Sequence, residues 1–290
     1  MEIDSSSVGQ VEYLPERRIT WRDTMNYAAG VGETNPRYYD DTLPGGIVAP
    51  PMFAHATKWN PPARGVAPEI ARDQPNVFAT GVHATEHLIV HRLIRPGDRL
   101  KFISRIESMR PTSAGVHRVI KIEVMDAEDK LVYTEYDGTM LRGVTCSDEG
   151  RTVEPIPETP IFSEAAPLLW DVELPISRQA TYVYDGCSDI VVPIHTSVAF
   201  ARNVGLPDII LQGSCTLAIA VRELVAREAD GVPEKCKEIA CRFSRMVIPG
   251  TSIRVQLIAR ESKPDGTHLG FQVLNAEGEK ALTRGFVRIS

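Results

Sequence analysis

Asp189 and His195, two side chains able to move protons, lie in the stretch YVYDGCSDIVVPIHTSVAFARNVGLPDIILQGSCTLAIAV, ahead of a helix start at Gln212-Gly213. Histidine titrates near neutrality and a carboxylate can orient water or pass a proton, so together they suit acid–base work. The first amides of a helix lack intrahelical partners and carry the positive end of its dipole, which favours a developing oxyanion at Gly213. A residue without a side chain also lets a carbonyl approach closely. Gln212 and Ser214 flank that position and are candidates for substrate contact. Taken singly, Asp189 reads as a turn residue and His195 as a packed or capping one. Their coincidence with the helix-start glycine is what makes a site. Cys215 has no basic partner in the stretch and reads as core.

The positioning elements read as a strand from Tyr182, a polar loop, and a buried helix whose core residues are Leu217, Ile219, Val221, Leu224 and Val225. Earlier, residues 17–30 read as a short helix ending at a glycine, and Gly30 with Gly32 as a turn rather than a dinucleotide fingerprint, for want of a third glycine. Residues 76–100 read as strands on either side of the turn Arg-Pro-Gly-Asp, and residues 101–107, 117–125 and LVYTEYDGTML continue an antiparallel meander. His83, His87 and His91 recur every four residues. On a strand that spacing separates them by ~13 Å, so they read as sheet residues and no metal site is expected. Proline, serine and acidic residues dominate from Cys146 to Pro175, as in a surface linker.

The second half repeats the first. RLIRPGDRLKF matches RMVIPGTSIRV, VMDAEDKLVYTEYDGTML matches VLNAEGEKALTRGFVRI, and the Pro36 of ETNPRYY matches the Pro193 of VVPIH. Two copies of one α+β unit follow: residues 1–150, a linker over 151–175, and residues 176–290.

Composition fits a folded protein of this size: 290 residues, 43% hydrophobic and 24% charged. A net charge of −6 argues against nucleic acid or anionic membrane surfaces as partners. The first residues lack a basic and an apolar segment, and no run reaches the ~20 apolar residues of a membrane span, so a cytoplasmic protein is expected. Five cysteines without C-x-x-C spacing suggest neither a disulfide framework nor a zinc site.

The duplicated pattern resembles double hotdog proteins of the MaoC-like dehydratase and type 2 enoyl-CoA hydratase family, over nearly the whole chain. That family's loop, Gly-Asp-x-Asn-Pro-aliphatic-His before a helix opening His-Gly, is similar to SDIVVPIHTSVAFARNVGLPDIILQGSC in its Asp, its Pro-Ile-His and its helix-start Gly. Asp189 lies six residues before His195 where the family has five, so a one-residue bulge is expected; Val192 replaces Asn and Gln212 replaces His. In GETNPRYYDDTLPGGIVAPPMF, Glu33 and Tyr38 stand at the Asp and His positions, and Pro50-Pro51 replaces Gln212-Gly213. Pro51 has no amide hydrogen to donate, which makes this copy a poor catalyst; the resemblance implies that it shapes the acyl pocket, with its helix cut short at Pro61-Pro62.

The resemblance implies two tandem hotdog units, each a helix wrapped by an antiparallel sheet. It also implies a hydro-lyase with Asp189 and His195 as the catalytic pair, Gly213 at the oxyanion, and no cofactor. The substrate is then a thioester of CoA or of an acyl carrier protein, as an enoyl to be hydrated or a 3-hydroxyacyl to be dehydrated. A homodimer is compatible with the fold. Two other readings stand beside it: a thioesterase, since one fold hosts several reactions, and a non-catalytic acyl-thioester binder.

Overall fold

A computed structural model describes residues 1–59, 80–163 and 167–290. The first half contains strands β1 (Glu2–Ile3) and β2 (Val11–Arg18), helices α1 (Trp21–Gly30) and α2 (Phe53–Thr57), then strands β3 (Gly81–Val90), β4 (Arg99–Thr112), β5 (Gly115–Met125) and β6 (Leu131–Arg142). Two-residue strands β7 (Thr145–Cys146) and β8 (Arg151–Thr152) lead to the second half. There follow β9 (Trp170–Pro175), helices α3 (Ala180–Ser188), α4 (Val198–Asn203) and α5 (Gly213–Glu228), then β10 (Cys236–Phe243), β11 (Ser252–Lys263), β12 (Gly266–Leu274) and β13 (Lys280–Ile289).

The large sheet runs β2-β4-β5-β6-β3-β10-β13-β12-β11-β9, with β8 added beside β4. Read inward from either edge, the two halves present their strands in the same succession, so the sheet is a palindrome about β3 and β10. These two pair antiparallel, with Cys241 opposite Glu86 and Ala240 opposite His87. The duplication inferred from sequence is therefore two hotdog units joined into one continuous sheet. Joining them this way covers what would otherwise be an exposed edge on each unit.

Helix α5 is buried without a break from Ser214 to Val221, and Leu224 and Val225 continue its buried face. Its apolar side chains each contribute roughly 1.5–3 kcal/mol when fully removed from water. In the first half α2 is five residues long and wholly buried. The expected stop at Pro61-Pro62 lies outside the described residues. Helix α1 starts in a capping box, Thr20 accepting from the Asp23 amide while Asp23 accepts from the Thr20 amide. At the centre the equivalent residues Tyr27 of α1 and Tyr184 of α3 meet, their hydroxyls 3.4 Å apart.

Two expectations are corrected. The stretch opening at Tyr182 is helical, not a strand: Thr181, Tyr184 and Ser188 are its buried residues, and spacings of three and four mark one face of a helix. The stretch 151–175 is not simply a linker, because it carries β8 and the edge strand β9. In β9, Trp170, Val172 and Leu174 pack on the core, while the alternate Asp171 and Glu173 reach Arg254 and Ser252. The surrounding prolines hide that alternation. Among the described residues no helix is long and apolar enough to cross a membrane.

Candidate active site

His195 closes a short 3-10 turn, Pro193–His195, whose proline is preset for the first helical position. Its Nδ1 lies 2.8 Å from the carbonyl oxygen of Ile210. A carbonyl only accepts, so Nδ1 carries the proton and Nε2 keeps a free lone pair. Burial lowers the imidazole pKa below its ordinary value, opposed in part by that hydrogen bond. His195 is thus held as a neutral base in one tautomer, by the segment that leads into α5.

Asp189 is the last residue of the α3 turn and adopts the left-handed conformation, φ 59°. Its carboxylate lies 3.9 Å from Arg17, which also donates to the Thr57 carbonyl and to Asp23. Relative to the first half, the loop carries no extra residue between this position and the proline. Gly32, also left-handed at φ 67°, precedes Pro36 by the same four residues that separate Asp189 from Pro193. Asp189 therefore occupies a position that glycine fills in the first half, one that aspartate tolerates better than most residues. The counterpart of Glu33 is Ile190, which is buried in the core.

Gln212 caps α5 and is fully buried, its Nε2 donating to the Thr181 carbonyl at 3.1 Å. The Ser214 hydroxyl accepts from Tyr184 at 3.2 Å. These side chains tie the helix start to α3, whose C-cap is Asp189, while the buried Gln212 Oε1 has no hydrogen-bond partner among the described residues. At Gly213 a Cβ would stand 2.9 Å from the Phe243 ring, so the residue is glycine for reasons of space as well as chemistry. Burial pushes the Cys215 thiol up to about 12, which leaves it inert as a nucleophile.

In the first half Glu33 lines a small cleft with Val31, Pro51, Met52 and Arg222. Burial lifts its carboxyl to about 7, with Arg222 pulling down and Glu223 adding to the rise. Arg222 of α5 donates to the Val31 and Gly32 carbonyls, so the second half's helix holds the first half's loop. Tyr38 is buried beside this cleft, its phenol raised chiefly by burial and further by Glu33.

A second constellation was missed from the sequence. His55 of α2, Lys58, His83 and Glu86 of β3, and Glu135 and Asp137 of β6 gather under α2. His55 Nδ1 is 2.6 Å from Glu135 and Lys58 Nζ is 2.7 Å from the same oxygen. Burial and Lys58 oppose charge on His55, but Glu86 and Glu135 outweigh them and raise its pKa to about 9. The available signal was parity: Glu86 shares a strand face with Leu88 and Val90, and Glu135 with Tyr133, all buried. Of the three histidines spaced by four, His87 instead meets Glu238 and His91 meets Thr134, so they share no ion.

A palindromic hotdog sheet around a buried helix, with a loop carrying Asp189 and His195 ahead of the helix start, defines a class that comparison with known proteins makes specific. Residues 164–276 match the MaoC like domain, and residues 8–135 match the FAS1-like dehydratase domain region. The chain thus carries a MaoC like domain in its second half and a FAS1-like dehydratase region in its first, and its fold is that of double hotdog proteins. It is 25% identical to 3-hydroxyacyl-thioester dehydratase Y of Mycobacterium tuberculosis, over 97% of this chain and 95% of that one. A MaoC-like dehydratase from Phytophthora capsici superposes with a TM-score of 0.80 at 20% identity, covering 99% of this chain and 97% of that one. A conserved hypothetical protein of Mycobacterium tuberculosis with a double hotdog fold gives a TM-score of 0.61 at 14% identity, over 97% and 95% of the two chains.

Proposed function

We propose that the protein is a hydro-lyase of acyl thioesters, adding water to a trans-2-enoyl-CoA to give the (R)-3-hydroxyacyl-CoA, or running the same step backwards. The observation that carries this reading is the fixed tautomer of His195, whose neutral Nε2 can take a proton from water. Its likeness to a 3-hydroxyacyl-thioester dehydratase over nearly the full length supports the substrate class.

In the hydration direction His195 removes a proton from water as the oxygen bonds to the β-carbon. Electrons move onto the thioester oxygen, where the first free amides of α5 at Gly213 stabilise the enolate. The α-carbon then takes a proton, delivered by the Asp189 and His195 pair, and the carbonyl reforms. One O–H bond breaks while one C–O and one C–H bond form, so the balance requires no redox partner. Gln212 and Ser214 act by fixing the helix start, and the first half contributes the acyl pocket. The thioester is carried by CoA or by an acyl carrier protein.

The test is loss of the conjugated double bond of enoyl-CoA esters of several chain lengths, with Asp189→Asn and His195→Gln variants alongside. Turnover should fall about 10²–10⁴-fold in His195→Gln. Full activity in both variants would falsify the site, and release of free CoA without an alcohol product would identify a thioesterase. Tight binding without turnover would leave an acyl-thioester binder, the reading favoured by Ile190 standing at the counterpart of Glu33.

A further inference from the structure

We propose that His55, His83 and Glu86, with Glu135 beside them, form a binding site for one first-row divalent cation of the Zn²⁺ type. The three primary donors come from separate places, α2 for His55 and two positions of β3 for the others, and one ligand atom from each lies within 4.8 Å of the other two. Glu86 Oε2 stands 3.2 Å from His55 Nδ1 and 3.1 Å from His83 Nε2. The Glu86 carboxylate pairs with both imidazoles, but in a geometry that leaves its oxygens and His83 Nε2 short of well-directed hydrogen bonds. Nitrogen and oxygen atoms at this spacing can serve as ligands around a shared centre. Donors about 2.0–2.1 Å from a tetrahedral ion lie roughly 3.3 Å from one another.

Glu86 and Glu135 have fully buried side chains, and an uncompensated buried carboxylate is costly. Among the described residues three carboxylates, counting Asp137, face Lys58, which lies 2.7 Å from Glu135 and 2.5 Å from Asp137, and Arg118, whose charge acts on Asp137. The His55 and His83 rings are near parallel, with centroids 5.2 Å apart and planes 6° from parallel.

The backbone has also been reshaped for His83. Residues three apart on a regular strand face opposite ways, but the register of β3 against β6 shifts between His83 and Thr85, and this bulge returns His83 to the face of Glu86. Gly138 makes room for it, since a Cβ there would strike Thr85. Two imidazoles with carboxylates suit zinc and its neighbours better than magnesium or calcium. The site has a route to the chemistry: the His83 ring lies 4.3 Å from that of Phe243, which packs on Gly213.

The full-length protein, stripped with a chelator, should be titrated with Zn²⁺ by calorimetry and with Co²⁺ by visible absorption. One equivalent should bind, with the spectrum of nitrogen and oxygen ligation, and raise the melting temperature. Affinity should fall at least about 100-fold in His83→Asn and in Glu86→Gln, and stay unchanged in His87→Asn on the same strand. His83 is the more exposed of the two ligands, which keeps one variant readable if Glu86→Gln fails to fold. Absence of a Co²⁺ spectrum in the unmutated protein, or equal affinity in His83→Asn and His87→Asn, overturns the proposal.

Discussion

At the scale of single residues, environment sets what each group can do. Burial lowers the His195 pKa, so the neutral base persists below the ordinary imidazole value of about 6.5. The acid limb of kcat/KM for hydration should therefore have its midpoint under that value, and a limb above it would contradict the role. Glu33 shows the opposite sign. Its carboxyl is raised to about 7, so between about 4.5 and 7 the folded state binds more protons than the unfolded one and stability falls as pH rises. Glu33→Gln should remove that decline, gaining on the order of 1–3 kcal/mol at pH 8 and little at pH 4. Denaturant unfolding at the two pH values checks it, and an equal gain at both would point to packing instead.

At the scale of elements, the start of α5 is the most constrained point. The Phe243 ring leaves no room for a methyl group at Gly213, so Gly213→Ala must push the ring, with a destabilisation of roughly 1–3 kcal/mol and a loss of turnover. Adding Phe243→Leu should recover part of the stability, which a thermodynamic cycle would read as coupling. Strict additivity would show that the crowding is not the cause. This element was legible from its apolar run and its glycine, and the helix begins where the sequence places it. Helix α3 was not legible as a helix, because β-branched and aromatic residues there mimic a strand until their burial is known. The loop was half legible. Proline and histidine align with the first copy, but the position of the carboxylate depended on which residue takes the left-handed turn, and that is a backbone fact.

For the whole molecule, the unbroken sheet and a core cluster drawing on both halves make the units one cooperative structure. Calorimetry of the full chain should show a single transition whose van't Hoff and calorimetric enthalpies agree, whereas two resolved transitions would mean independent domains.

The sequence carries the duplication, the fold class and the central helix, because these depend on periodicity and motif order, which are local. Folding alone brings His55, His83, Glu86 and Glu135 together, sets Phe243 against Gly213, and seats Ile190 at the counterpart of Glu33. Each of these depends on strand register, on a single bulge, or on which of two neighbouring residues turns inward. Such choices are settled by the packing of distant segments, not by the residues that display them.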